Sequence, residues 1–164
     1  MAASTVPKVR RDGTISFEDS GASNTYTVSY EDGDFAFDGS GKPDRIVIRD
    51  RGNIVGVRDG DVPVITGSFT VHFREFTNGS ADALIDVLDK TGNAASWTST
   101  GSGAFEPAMW TIKITQEGTN HGDGADGVAV FAKCVSTWSF AEGDPNKLSV
   151  SFECYGGVTF TGTS

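Results

Sequence analysis

Alternation of apolar and polar residues along short segments is the feature that most restricts the fold of this chain. In its clearest example, within Val62–Phe76, the apolar residues Phe69, Val71 and Phe73 alternate with polar ones. Side chains of a β-strand point to opposite faces in turn, so this pattern predicts a strand with one buried and one polar face. The segment is longer than a normal strand, and we expect a bend or bulge at Gly67.

The aliphatic composition supports a mainly β fold. The 164 residues include 15 Val and 8 Ile but only 3 Leu, together with 11 Phe. Branched and aromatic side chains favour strands, whereas Leu is a common helix residue. A chain of this length forms one ordinary domain. A helical bundle or a Rossmann-type fold is therefore not expected.

One short helix is predicted at about residues 81–90. Ser80 can cap its first turn, and Gly92 can end it. Leu84, Ile85 and Leu88 form one apolar stripe that would dock on a sheet. The polar side of the helix carries the residues expected to point outward, Asp82, Asp86 and Asp89.

The predicted architecture is an antiparallel β-sandwich or barrel, mainly β, with this single flanking α-helix. Residues 1–12 are expected to be a flexible basic N-terminal arm, and residues 13–164 a single β-sandwich domain. The longest later strand, Val128–Phe140, is expected to be covered on both sides. Its two faces would carry Phe131 and Val135 on one side and Val128, Val130, Ala132, Cys134, Trp138 and Phe140 on the other.

Arg45–Arg58 is predicted to form a β-hairpin. A two-residue turn at Arg51-Gly52 would place Ile48 opposite Val55 and Ile46 opposite Val57. This register puts Arg45 opposite Arg58, which is an unfavourable like-charge pair, and a longer turn through residues 50–53 is the alternative.

Three other features leave alternatives open. Trp97 lies in a polar loop as either a buried anchor or a partner contact. Cys134 and Cys154 fall in strand-like segments and are expected to be free buried thiols, with a cross-strand disulfide as the alternative. No signal peptide or membrane-spanning segment is expected from the sequence.

The formal charge of −9 argues against nucleic-acid binding through phosphate neutralisation, which needs Lys and Arg. The charges are unevenly distributed, because every charged residue between positions 13 and 40 is acidic, whereas residues 42–58 are rich in arginine. Such segments could meet on neighbouring copies, head to tail, or could pair locally within one chain.

No catalytic set is recognisable, and an enzyme is not expected. The chain has two histidines, His72 and His121, and lacks a nucleophile elbow or a zinc-ligand spacing. Asp123 and Asp126 lie in a glycine-rich loop and form a weak candidate for a calcium site. Gly and Asp are also the usual residues of tight loops, so no metal or other cofactor is expected.

The order of features resembles a known family. A long strand at Val62–Val71, a short helix at Ala81–Leu88 and a closing hairpin at Phe140–Gly156 are similar to those of the major tail tube proteins of long-tailed bacteriophages. A more distant similarity is to the ring-forming tube proteins of type VI secretion and related contractile systems. The resemblance covers residues 13–162.

The resemblance implies a structural virion protein whose copies close into rings, with six copies per ring. The rings stack into a tail tube through which DNA passes during ejection without specific binding. The partners would be further copies of the chain and other tail proteins, without membrane insertion. The protein would be located in the virion tail, after assembly in the cytoplasm of the host bacterium.

Two residue sets follow from this resemblance. Polar strand residues would line the lumen, where an uncharged or acidic wall would not retain DNA; the candidates are Ser149, Ser151, Glu153, Thr70 and His72. The arm and the 42–61 hairpin would supply contacts between subunits and rings. The candidate contact residues are basic residues of these two segments and two acidic residues outside them: Lys8, Arg10, Arg11, Asp32, Asp34, Arg45, Arg49, Arg51 and Arg58. For each of these residues an ordinary solvent-exposed position is the alternative.

A monomeric binding module is the second functional hypothesis. It would be a carbohydrate-binding, capsid-decoration or adhesin domain, in which Trp97, Trp110 and Tyr155 could stack on sugars if they lined one groove. A calcium-dependent β-protein is the third.

Overall fold

The structure is a computed structural model that describes residues 4–38 and 41–162. Within these residues there are ten strands, β1 to β10 in chain order: Gly13–Glu18, Thr25–Thr27, Ala36–Asp38, Arg45–Asp50, Asn53–Asp59, Ile65–His72, Trp110–Gln116, Gly127–Ala141, Lys147–Cys154 and Val158–Thr161. One α-helix, α1, spans Leu84–Asp89. Residues 1–3 of the predicted arm and the last two residues of the predicted domain lie outside the described part.

Eight strands of this described part form one antiparallel sheet in the order β2-β1-β7-β8-β9-β6-β3, with β10 also paired to β8. The sheet curls strongly, as the contact between Phe17 on β1 and Phe69 on β6 shows. The ring centroids of these two residues are 6.2 Å apart. These strands are separated in the sheet by β7, β8 and β9. The chain is thus mainly β, with a rolled sheet and a single described α-helix, as the sequence predicts.

The segment between β2 and β3 closes the roll. At its start, the Val28 amide donates to the Ile15 carbonyl of β1. Further along, Glu31 bridges to Val71, and the Asp32 amide donates to the Thr70 carbonyl of β6. One stretch of chain therefore connects the two distant strands and encloses the apolar core.

The helix begins three residues later than predicted, at Leu84, with Ala83 as its N-cap. The reason lies in the preceding turn, where Asn78 Oδ1 accepts hydrogen bonds from the Ser80 and Ala81 amides. These bonds hold Ser80 in an Asx-type turn and leave it outside the helix. The apolar stripe of α1 is buried, as predicted.

The prediction that Asp86 points outward is wrong. Its side chain is fully buried and accepts hydrogen bonds from the Thr77 hydroxyl at 2.9 Å, the Asn78 amide at 2.8 Å and the Thr91 hydroxyl at 3.0 Å. Gly92, with φ +51°, passes so close that a Cβ there would lie 2.4 Å from an Asp86 carboxylate oxygen. Asp86 thus joins the loops on both sides of α1 to the helix.

The predicted turn of the β4–β5 hairpin is confirmed, but its register is not. Asp50 pairs with Asn53 around Arg51-Gly52, and both turn residues have positive φ. A bulge next to Ile48 then shifts the pairing by one residue, so that Arg45 lies opposite Asp59. The like-charge pair of the simple register is replaced by an ion pair of 3.1 Å. Sequence periodicity could not reveal this bulge.

A second bulge lies in β8 and corrects the predicted faces of that strand. Lys133 has φ +53°, and the pairing with β7 gains one residue on β8 between Phe131 and Cys134. Ala129, Phe131 and Cys134 therefore all face the core, whereas the prediction placed Phe131 on the opposite face from Cys134. The prediction that Val128, Val130 and Ala132 share a face with Cys134 is wrong for the same reason.

Gly67 does not bend β6, which pairs regularly with β9 from Ile65 to His72. The glycine instead makes room for an aromatic ring, because a Cβ at this position would lie 2.3 Å from Phe152 Cζ. The strand is also shorter than the predicted segment, since the chain leaves the sheet after His72.

The open questions on Trp97 and the cysteines are resolved. Trp97 is a buried anchor, packed edge-on against Trp110 with centroids 5.5 Å apart. Cys134 and Cys154 are buried free thiols on directly paired positions of β8 and β9. A hydrogen bond from Cys134 lowers the pKa of Cys154 to about 7, while the same bond raises that of Cys134.

Candidate functional site: the polar face of the sheet

Four strands of the described sheet share one polar face. The register places Ser149, Ser151 and Glu153 of β9 beside Thr70 and its neighbours on β6. Across β9, the second half of β8 presents Val135, Thr137 and Ser139 to the same side. The opposite side of β9 is buried, as the alternation predicts. The result is a wall of short hydroxyl side chains that backs directly onto the core.

Among the described residues, this four-stranded region has two unpaired edges. One is the outer edge of β3, which pairs only with β6. The other is the second half of β8, because β7 ends opposite Cys134 and leaves residues 135–141 unpaired on that side. Unpaired strand edges favour pairing with another chain. The polar face therefore lies between two edges that a neighbouring copy could extend.

The charged groups of the face are concentrated at its two ends. At one end His72 Nε2 lies 2.9 Å and Lys147 Nζ 2.6 Å from the two carboxylate oxygens of Asp32. The Lys147 hydrogen bond keeps the pKa of Asp32 below its ordinary value. At the other end Tyr155 donates a hydrogen bond to Glu153, and this bond raises the pKa of the tyrosine. Between these ends the wall is uncharged.

A shallow depression of about 700 Å³ lies over this uncharged part, bordered by Asp38 and Glu153. Its floor is formed by small side chains, including Ser68, Thr137 and Ser151. Both bordering charges are negative. A polyanion would gain no ion pairs from this surface.

The five predicted lumen residues lie on this one face, because Thr70 and His72 pair with Ser149 and Lys147 across β6 and β9. Arg74 follows the end of β6 and stacks over Tyr30, 5.1 Å from its ring centroid. Sequence reasoning missed the β8 residues of the face. The alternation of Thr137 and Ser139 with Trp138 and Phe140 was the available signal. Because of the bulge at Lys133, however, the sequence alone did not show which of these residues face the polar side.

The predicted interface residues divide into two groups. Several are already engaged within the chain: Lys8 pairs with Asp123 at 2.7 Å, Arg45 with Asp59, and Asp32 with Lys147. The Asp34 carboxylate accepts from the Thr70 amide at 2.8 Å. Pairing within one chain was one of the two alternatives for the charged segments, and it accounts for these four predicted interface residues.

The second group makes no ion pair within 4.0 Å among the described residues and comprises Arg10, Arg49, Arg51 and Arg58. Arg11, with 86% of its side chain exposed, comes only within 3.9 Å of its neighbour Asp12. Arg49 donates a hydrogen bond to the Gly52 carbonyl in the hairpin turn.

The two loop aspartates, Asp123 and Asp126, accept hydrogen bonds from protein groups. Asp123 accepts from Lys8 and from the Ser4 hydroxyl. Asp126 Oδ1 accepts from the Gly118 amide at 2.9 Å and from the Thr119 amide at 3.1 Å. Among residues 4–38 and 41–162, no group of three or more His, Cys, Asp or Glu residues is arranged to hold a metal ion.

The residues proposed for sugar stacking do not line one groove. Trp97 and Trp110 are buried against each other, while Tyr155 is exposed on the polar face. The binding-module hypothesis therefore loses two of its three aromatic contacts.

Glu31 is a partly buried carboxylate near this face. One of its oxygens, Oε2, is buried without a hydrogen-bond partner among the described residues, and burial raises the pKa of the group. An acid with a raised pKa destabilises the fold once it ionises, so the penalty is absent below its ordinary value and grows as pH rises through the raised value. We predict that Glu31→Gln raises the Tm near pH 7 by a few degrees and leaves it unchanged near pH 4. An equal shift at both pH values in thermal unfolding would contradict this assignment.

Comparison with solved structures identifies similar folds in contractile injection systems. A chain of the extended sheath–tube complex of the extracellular contractile injection system PVC aligns with a TM-score of 0.62 and 12% identity, covering 96% of this chain and 93% of that one. A PVC sheath/tube terminator chain gives 0.61 and 12%, covering 98% and 100%. A chain from the tube-terminating cap of the anti-feeding prophage gives 0.61 and 10%, covering 100% and 96%.

This chain shares its fold with these injection-system components. The similarity extends over nearly the whole of each chain. No protein-family model and no curated protein sequence matches the chain. In the described residues, no helix has the length and apolar character that crossing a membrane requires.

Proposed function

We propose that this chain is the structural subunit of a tail-type tube. Six copies close side by side into a ring, and rings stack into a tube that conducts DNA during ejection from a phage tail. The observation that carries the proposal is the polar, largely uncharged sheet face between two unpaired strand edges. The fold similarity to components of sheath–tube complexes supports it.

Lateral closure would join the outer edge of β3 in one copy to residues 135–141 of the next. Such pairing satisfies the exposed backbone groups and continues the sheet around the ring. The polar faces of all copies then form one lumen wall, lined by Ser149, Ser151 and Glu153 together with the β6 residues. The subunit acts as a wall and not as an enzyme, and it requires no cofactor.

The proposal is tested first by electron microscopy of the purified protein over a range of concentrations. We expect rings and stacked tubes with a central channel. A sample that remains monomeric at high concentration would contradict the proposed function.

Accessibility tests the lumen assignment. In Ser151→Cys the new thiol is exposed in the monomer, whereas Cys134 and Cys154 are buried and serve as an unreactive background. We expect a maleimide attached to a bulky protein to label the variant monomer fully and the assembled tube at its ends only. Full labelling along preassembled tubes would place this face outside.

Charge on the wall provides a separate prediction. Ser149→Lys together with Ser151→Lys is expected to leave assembly intact but to make the tubes retain short DNA at low salt, because lysine neutralises phosphate and releases counterions. The matched variant Ser149→Gln with Ser151→Gln should retain none. Equal DNA retention by both variants in a co-sedimentation assay would argue against a lumen position.

A further inference from the structure

Two buried thiols face each other across neighbouring strands, and the proposed tube wall makes no use of them. Cys134 of β8 and Cys154, the last residue of β9, occupy directly paired positions. Both are buried on the core side of the sheet. The Cα atoms of paired residues in an antiparallel sheet lie about 4.5–5.5 Å apart, inside the range of roughly 4.4–6.8 Å that a disulfide spans. The two sulfurs can therefore be joined without moving either strand.

A cleft of about 250 Å³ leads to one of these sulfurs and not to the other. Among the described residues, Cys154 lines this cleft together with Pro63 and Val158, whereas Cys134 does not. The described lining residues include no charged side chain. Because entering an uncharged cleft of this size favours small neutral molecules, a bulky or charged reagent is excluded. The pair therefore stays unreactive toward a maleimide that is attached to a protein.

The hydrogen bonds of the pair place the nucleophilic form of sulfur at the cleft. When Cys154 is protonated, its thiol donates to the Ala132 carbonyl at 3.1 Å or to the Gly157 carbonyl at 3.2 Å. When Cys154 is ionised, it accepts a hydrogen bond from Cys134, which lowers the pKa of Cys154 and raises that of Cys134. The thiolate is the nucleophile in thiol chemistry, and here it forms on the sulfur that the cleft reaches.

We infer that Cys154 and Cys134 are a peroxide-reactive cysteine pair that closes a disulfide between β8 and β9. The Cys154 thiolate attacks one oxygen of hydrogen peroxide. The O–O bond breaks and hydroxide leaves, so that Cys154 becomes a sulfenic acid. This hydroxide takes up the proton that Cys154 released on ionising and becomes water.

Cys134 completes the reaction in a second step. Its sulfur attacks the sulfur of the Cys154 sulfenic acid, so that an S–S bond forms while the S–O bond breaks. The departing hydroxide combines with the proton of the Cys134 thiol and leaves as a second water molecule. The two thiols together lose two electrons, and one peroxide is reduced to two waters.

The disulfide would join the strands beside the bulge at Lys133, where the pairing with β7 is irregular. It would close a loop of roughly 20 residues and so restrict the unfolded chain. We expect the oxidised chain to have a Tm that is higher by about 5 °C or more. A Tm that is not raised would overturn this stabilising role. The inference is independent of the proposed function, because both thiols belong to one chain.

The first test uses the unaltered, folded chain. We expect hydrogen peroxide to produce an intrachain disulfide between Cys134 and Cys154, which peptide mapping without reduction identifies. In a parallel sample iodoacetamide, a small neutral alkylating reagent, should modify Cys154 at least about 10-fold faster than Cys134. Equal rates would mean that both thiols react only when the protein unfolds, and this would overturn the inference. Peroxide treatment that yields no such disulfide would overturn it as well.

Single substitutions separate the two roles. In Cys134→Ala, oxidation of Cys154 should stop at the sulfenic acid, which dimedone traps. In Cys154→Ala, Cys134 should stay unmodified at the same peroxide concentration. Circular dichroism checks that each variant is folded, and the alkylation rates of the unaltered chain decide the question if one is not. Sulfenic acid trapped on Cys134 would reverse the order of the two thiols and overturn the inference.

A matched pair of variants tests the cleft as the route to Cys154. Val62 lines the cleft and is 71% exposed, whereas Val64, which is 49% exposed, is not one of the described lining residues. Val62→Trp should slow the alkylation of Cys154 by about threefold or more, because the larger side chain covers part of the opening. Val64→Trp should leave the rate unchanged. Equal rates in the two variants would overturn this route.

Discussion

Asp86→Ala is expected to lower the free energy of unfolding by about 3–5 kcal/mol and the Tm by about 10 °C. The carboxylate is fully buried and accepts from Thr77, Asn78 and Thr91. Alanine would leave these donors without a partner inside the protein. Hydrogen bonds to a charged group are worth about 1.5–3 kcal/mol each, and they do not add fully when they share one acceptor group.

The neighbouring aspartate provides the control. Asp82 is only partly buried and accepts one side-chain bond, from Asn93 at 2.8 Å. Asp82→Ala should cost less than about 1 kcal/mol. Chemical denaturation of both variants measures the difference. Equal costs would mean that the Asp86 hydrogen-bond network contributes little to stability.

Phe152→Ala should destabilise the fold by about 3–5 kcal/mol, the usual cost of removing a fully buried aromatic ring. Phe152 packs against Phe131 with centroids 5.4 Å apart and against Phe35 at 5.8 Å. Its ring also fills the space over Gly67. The exposed Phe160 is the control, and Phe160→Ala should cost under about 1 kcal/mol in the same denaturation experiment.

The contact with Gly67 makes a second, sharper measurement possible. Gly67→Ala alone should cost about 1–3 kcal/mol, because the new Cβ forces the Phe152 ring to move. In the Phe152→Ala background the space is free and the same change should cost much less. A double-mutant cycle without coupling would show that the glycine serves another purpose.

The regular parts of this fold were predictable from the sequence because they follow local rules. The strict alternation of Leu148, Val150 and Phe152 with polar residues is a local pattern, and it matches β9 and its polar face. The turn at Arg51-Gly52 was predictable from its spacing between two apolar segments. These signals depend only on neighbouring residues.

The parts that were not predictable depend on contacts between distant residues. The two bulges shift the alternation of side chains between the two faces by one residue. The positive φ of Lys133 could not be predicted from its residue type. The burial of Asp86 depends on two loops folding back over α1. Similarly, the cluster of Phe73, Phe76 and Phe140 combines residues from β8 and from the segment after β6, which no linear pattern brings together.

The bulge at Lys133 has a consequence for how such a chain can change during evolution. It divides β8 into two halves with opposite side-chain phase, one for the enclosed core and one for the polar wall. Deleting a single residue there would turn Thr137 and Ser139 inward and Trp138 outward. Length variation in related sequences should therefore accumulate at the tip of the hairpin and in the loops, while the residue count between Phe131 and Cys134 stays constant.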